Sequence, residues 1–462
     1  MPITTRAPGP RGLELARLIF KFQRDPLTSM VEVADRYGDV TRAEVAGQTV
    51  FLLRGPEAAA EVLVADQASY VKGGHNHVVM RELLGDGLLT SNGDVWARHR
   101  RLVQPVFAGR RLGGFAGHMT AAAAQTLQSW SPGPLAVDAA MNALTLDVVG
   151  RALFGVDMRE DAARVGRAMA YAARIAAQTG RSPMLLGLSR IQWLGPEGAW
   201  RMQLLRRARL GPRVAELNRV MDGMIDRRDP AAASEDLVGL LLAARDPETG
   251  QAFARHEVRD QIMTFLLAGH ETTSAALTWM WYLLARHPEA RARVYEEVQD
   301  VLSGRTPEAA DVDKLTWTTA VIEETLRLYP PVWIVDRFSV ADTTVGGHHV
   351  PAGSIMLIPP YLNHHDATRW QDPERFDPTR FLPEHAEDRP RLAYLPFGYG
   401  PRVCMGGRFA LMEAVLITAM IAQRFILDLE PDREFRPEPN VTLRPRGGLP
   451  MVLRPASRFL SP

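Results

Sequence analysis

Apolar and polar positions recur with the 3.6-residue period of a helix over most of this chain, and with the two-residue period of a strand only in short runs. Residues 28–37 read as a short helix. Val40 to Val45 and Gln48 to Leu53, separated by Ala46 and Gly47, read as a hairpin, and a second is expected near Gly346 and Gly347. Ala/Leu/Arg-rich periodic runs predict helices over Pro56–Leu63, Gly93–Phe107, about 116–227 and 256–329. The fold class that follows is mainly α with small β-sheets. No fixed-period repeat supports a solenoid. No Ser/Gly-rich linker interrupts the pattern, so residues 1–462 read as a single domain.

One apolar run, Ile262 to Ala285, breaks its own pattern at the centre with Ala268-Gly269-His270-Glu271-Thr272-Thr273. An ionisable pair at mid-bilayer would cost a few kcal/mol, so a buried helix of a water-soluble protein is expected rather than a membrane span. Interior glycine costs about 1 kcal/mol against alanine, and a threonine hydroxyl can bond back to the preceding turn and bend the helix. The pattern therefore predicts a groove beside Gly269 with an acid and a hydroxyl at its edge. A kinked packing site with a solvated Glu271 is the bland alternative.

Composition alters this picture little: 46% apolar and 23% charged residues can build a large core. A formal charge of +1 gives no bulk reason to expect nucleic acid or an acidic membrane as partner. Lys21, Lys72 and Lys314 are the only lysines, so nearly all positive charge is arginine. The segment Met1 to Pro10 has no apolar core of a secretion signal, and a single cysteine excludes an intramolecular disulfide. A reducing cytoplasm is expected.

That cysteine, Cys404, sits in Phe397-Gly398-Tyr399-Gly400-Pro401-Arg402-Val403-Cys404-Met405-Gly406-Gly407, ahead of an apolar run of helix formers. A lone cysteine is commonly a small buried hydrophobe. Glycines that let the backbone approach something flat, Arg402 two residues before the sulfur, and a following helix N-terminus favour a thiolate metal ligand instead.

The segment resembles, at every fixed position, the Phe-x-x-Gly-x-Arg-x-Cys-x-Gly haem-binding loop of the cytochrome P450 superfamily. That resemblance implies a triangular, helix-rich fold with a long central helix over haem b (iron protoporphyrin IX), bound through Cys404, with Phe397 and Gly406 beside it. A thiolate ligand favours O–O cleavage. The central segment matches the family's Ala-Gly-x-Glu-Thr-Thr pattern, which implies that Ala268 faces the haem, Thr272 hydrogen-bonds dioxygen and Glu271 relays protons. His270 is expected on the helix surface. Trp96, Arg100, Arg337 and Arg402 match the family's propionate contacts. Glu324, Arg327 and Arg375 look like its buried salt-bridge trio.

The activity implied is a haem-thiolate monooxygenase that uses O2. Its partners would be a ferredoxin and an NAD(P)H-dependent ferredoxin reductase, the ferredoxin docking on Arg98, Arg101, Arg110, Arg111 and Arg408. Substrate contacts are expected from residues 75–80, 183–188, 265–267, 332–335 and 446–449. Most are apolar, favouring a hydrophobic small molecule such as a terpenoid or polyketide-type product. A peroxide-using haem-thiolate enzyme and a non-catalytic haem sensor are the alternatives.

Overall fold

The computed structural model describes residues 6–158, 211–212, 214–228, 236–385, 387, 392–430 and 433–456. Helices α1 (Gly12–Arg24) and α2 (Pro26–Tyr37) lead into the antiparallel hairpin of β1 (Val40–Val45) and β2 (Gln48–Leu53). With β3 (Tyr70–Val71), β5 (Val335–Ser339) and β8 (Ile355–Ile358) they form a five-stranded sheet ordered β1-β2-β8-β5-β3. The second expected hairpin is β6 (Thr343–Val345) with β7 (His348–Val350). A three-stranded sheet sets β12 (Pro450–Pro455) between β4 (Gly133–Ala136) and β9 (Phe425–Asp428). A last hairpin pairs β10 (Pro437–Pro439) with β11 (Leu443–Pro445).

The helices make up the rest: α3 (Pro56–Ala60), α4 (Gly74–Leu84), α5 (Gly93–Val103), α6 (Gly109–Gln128), α7 (Val137–Phe154), α8 (Leu237–Ala243), α9 (Arg255–Arg286), α10 (Pro288–Leu302), α11 (Thr316–Leu328), α12 (Pro360–His364) and α13 (Gly407–Ala422). Prolines correct the predicted boundaries. The run at 256–329 divides into α9, α10 and α11, the first break falling where Pro288 holds His287 out of helical geometry. Likewise α5 stops at Val103, and Pro105 starts a tighter turn over Gln104–Phe107.

Helix α9 is the axis of the core. Its carboxyl-terminal half buries Trp279 and Trp281 completely, and Trp279 stacks on Tyr329 with ring centroids 3.9 Å apart while its indole N–H donates to the Leu443 carbonyl at 3.0 Å. Gly269 also lets α9 approach α7 closely: a Cβ there would meet Val149 of α7 at 2.9 Å. Next to it the Thr145 hydroxyl donates to the His270 carbonyl at 3.0 Å, pinning α7 to α9. Among the described residues no helix is long and apolar enough to cross a membrane.

Candidate active site

The cysteine loop is anchored from α11. Arg327, wholly buried, donates to both oxygens of Glu324 at 2.7 and 2.8 Å, and to the carbonyls of His364, Pro373 and Arg375 at 2.8, 2.7 and 3.1 Å. The His364 ring donates from Nδ1 to the Arg327 carbonyl (3.1 Å) and accepts the Leu395 N–H at Nε2 (2.8 Å). This pattern requires a neutral ring, and burial first, then His365 and Arg327, pushes its pKa well below the ordinary value. Arg375 is not the third member of a buried trio. Its side chain is exposed and pairs with Asp377, leaving only its carbonyl to the clamp, while Arg380 lies 3.6 Å from Glu324 instead.

From Leu395 the chain turns towards Cys404, whose N–H donates to the Phe397 carbonyl at 2.9 Å. Gly400 has φ of +74°, and a Cβ there would stand 2.4 Å from the Leu63 carbonyl oxygen, so only glycine fits the turn. With no metal beside it, the Cys404 thiol has its pKa pushed above the ordinary value by burial, opposed by the Gly406 amide and Arg100; a bound cation would favour the thiolate.

The sulfur opens on a cavity of about 450 Å³. Phe397, Arg402, Cys404 and Gly406 line it from the loop, Ala268, Gly269 and Thr272 from α9, Trp96 and Arg100 from α5, and Arg337 from β5. The sequence had placed all of these at one site, and the fold brings them together. Most of the remaining wall is apolar, including Met80, Leu88, Leu89, Phe265, Val332, Ile334 and Val335.

One side of the cavity concentrates positive charge. Arg402 stacks its guanidinium 4.4 Å from the Trp96 ring and donates to the Ser91 carbonyl and the Asn92 side chain, yet its Nη1 is buried without a partner. Burial, Arg337 and Arg100 push its pKa down to about 10. Arg337 donates only to the carbonyl of Asp336, and Arg100 to that of Val403. Lys72 joins them, its pKa pushed down to about 7 by burial and then by Arg337 and Arg402. Sequence reasoning missed Lys72; its rarity in an arginine-dominated chain was the available signal.

Glu271 is the expected site residue that does not line this cavity. Its carboxylate is buried, accepting the Thr442 hydroxyl at 3.1 Å and pairing with Arg444 at 3.1 Å. The Thr272 hydroxyl, which does face the cavity, donates back to the Ala268 carbonyl at 2.7 Å. His270 is corrected from surface to interior: it is buried, with Nδ1 bonded to the Leu266 carbonyl.

Of the expected substrate segments, His77, Met80, Phe265, Val332, Ile334 and Val335 line the cavity. Residues 446–449 instead close the β11–β12 turn, where the Leu449 N–H donates to Asp138, and 183–188 lie outside the described residues. The docking arginines are depleted. Arg98 pairs with Glu257, and Arg101 with Asp246 and Glu248. Arg111 and Arg408 are exposed; the Arg110 side chain lies outside the described residues.

A soft sulfur donor, apolar walls and four cations against one lining acid, Asp336, are what a flat ring with a central iron and two propionates requires, so the residues present fit haem b. The Cytochrome P450 family model matches residues 7–451. Cyclooctatin synthase of Streptomyces melanosporofaciens is 37% identical over 98% of this chain and 95% of its own. Cyclooctat-9-en-7-ol 5-monooxygenase of the same organism is 36% identical over the same shares. A solved structure, the haem domain of cytochrome P450DA, superposes with a TM-score of 0.86 at 28% identity over 98% of both chains. The chain belongs to the cytochrome P450 family, and is a monooxygenase that binds haem b.

Proposed function

We propose that the chain, acting as one haem domain in the cytoplasm, inserts one atom of O2 into a C–H or C=C bond of an uncharged terpenoid or polyketide-type molecule. Electrons would come from a ferredoxin reduced by an NAD(P)H-dependent ferredoxin reductase. The observation that carries this is the single cavity shared by Cys404, the Ala268–Thr272 face of α9 and a largely apolar wall. The relative named for cyclooctat-9-en-7-ol, a ring alkenol by its name, supports the same substrate class.

Cys404 would ligate the iron, with Phe397 and Gly406 shaping the loop beneath it. Trp96, Arg100, Arg337, Arg402 and Lys72 would hold the propionates. Haem so bound supplies the activation of dioxygen. Ala268 leaves room on α9 for a flat ring. Thr272 can rotate its hydroxyl off the Ala268 carbonyl to donate into the cavity. Glu271 takes protons from the solvent side, where half-exposed Arg444 holds it, and must turn past α9 to deliver them to Thr272.

The reduced carbon monoxide difference spectrum tests the ligand: a strongly red-shifted Soret band, lost in Cys404→Ala, is expected. A spectrum indifferent to Cys404 would sink the assignment. Thr272→Ala should keep its haem while diverting most reducing equivalents to peroxide, read as product formed per NAD(P)H consumed. Turnover sustained better by peroxide than by ferredoxin would point to the peroxide-using alternative.

A further inference from the structure

Seven of the thirteen residues of α1 are apolar, yet none of its residues is buried. Leu13 is 80% and Phe20 55% exposed, the highest values for large apolar side chains among the described residues. Seven positions apart, they share a face. The other side of the helix is committed. Phe22 packs against the cluster of Leu27, Met30 and Trp333, while the ion pairs Lys21–Glu32 and Glu14–Arg36 tie α1 to α2. The helix is therefore held in place with its Leu13–Phe20 ridge outward. Arg17 and Arg24 follow these residues by one turn each, and the Arg24 guanidinium lies 4.2 Å from the Phe20 ring centroid. Neither arginine forms an ion pair among the described residues.

We propose that α1 docks the protein on an anionic lipid surface, with Leu13 and Phe20 entering the acyl boundary and Arg17 and Arg24 meeting headgroup phosphates. Leu13, Arg17, Phe20 and Arg24 alternate along one exposed stripe, from which the apolar side chains can enter an interface while the arginines snorkel to its headgroups. A second copy of the chain fits less well. An isologous contact through this stripe would bring the two arginines of one copy towards the same two of the other. A helix about 20 Å long also offers far less than the ~800 Å² per partner of a stable interface. The whole-chain charge of +1 hides this local asymmetry.

The test is sedimentation of the full-length haem-loaded protein with vesicles of phosphatidylcholine alone or with about one quarter phosphatidylglycerol. Binding only to the anionic vesicles, weakening with salt, is expected. Arg17→Gln and Arg24→Gln should each weaken it about fivefold. Leu13→Ser with Phe20→Ser should weaken it at least tenfold, with Soret spectrum and melting temperature unchanged. No binding to anionic vesicles at low ionic strength would overturn the proposal, as would full binding by the double serine variant. A dimer in size-exclusion light scattering that the double variant dissociates would assign the ridge to a second copy. If the double variant fails to fold, the lipid-composition and arginine results decide.

Discussion

Arg327 and Arg402 are both arginines drawn away from bulk water, within reach of the same cysteine loop, and their surroundings differ in every other respect. Arg327 spends its donors on one carboxylate and three carbonyls, all supplied by the chain. Arg402 sits among Arg100, Arg337 and Lys72, with a buried nitrogen left over and its pKa lowered to about 10. A charge satisfied from within fixes geometry; one crowded by its own sign is held for an anion that arrives from outside. The contrast separates scaffold from site without reference to sequence similarity.

The widest separation should come from Arg327→Ala. It strands Glu324 and three carbonyls in the interior, a loss of about 3–5 kcal/mol or more. No folded, haem-loaded protein is expected; normal haem content on purification would erase the distinction. Arg402→Gln should do the reverse. Haem should transfer to a competing apoprotein about tenfold faster or more, since a hydrogen bond to a charged group is worth about 1.5–3 kcal/mol. The haem-free protein should melt no lower than wild type, because a cation crowded by Arg337 and Arg100 is gone. A lower melting temperature would place Arg402 with the scaffold.

A pH series resolves the clamp further. Burial and Arg327 hold His364 well below its ordinary pKa, and burial brings His365 down to about 4. Both are neutral when folded and take up protons more readily when unfolded. Stability they contribute is thus fully present above about pH 6.5 and lost as pH falls below it. The melting temperature should decline from about pH 6.5 downward, and His364→Gln should flatten part of that decline at the price of a lower value at neutral pH. The smallest effect belongs to Glu413 on α13. It is wholly buried, and burial pushes its pKa well above the ordinary value, the Thr273 hydroxyl opposing. It represents a third solution, in which the charge is given up. Glu413→Gln should change the melting temperature little at pH 6 and leave the variant equal or more stable at pH 9; a large loss would show that the charge is present and used.

Much of this could be read from the chain because it is written locally. Cys404 with Arg402 and Gly406, Thr272 with Ala268, and Glu324 with Arg327 lie within a turn or two of each other, so spacing alone implies their meeting. What escaped depends on distant pairing. His364 meets Leu395 and Arg327 across more than thirty residues, and Lys72 reaches the arginines because β3, which it follows, pairs with β5 far along the chain. Arg375 and Arg380 are five apart in one loop, and only the fold shows that the second faces Glu324. Glu271 was placed at the oxygen pocket by its neighbours in sequence, whereas Arg444 and Thr442 draw it to another side of α9.

A chain with one thiol also carries its own gauge. Cys404 is the only cysteine, and its side chain opens onto the cavity. A colourless alkylating dye or a disulfide reagent should therefore count one reactive group per empty polypeptide and approach zero as the cofactor is loaded. Occupancy could then be titrated stoichiometrically without the haem's own extinction coefficient, and an intermediate reading would report directly the fraction of chains awaiting their prosthetic group.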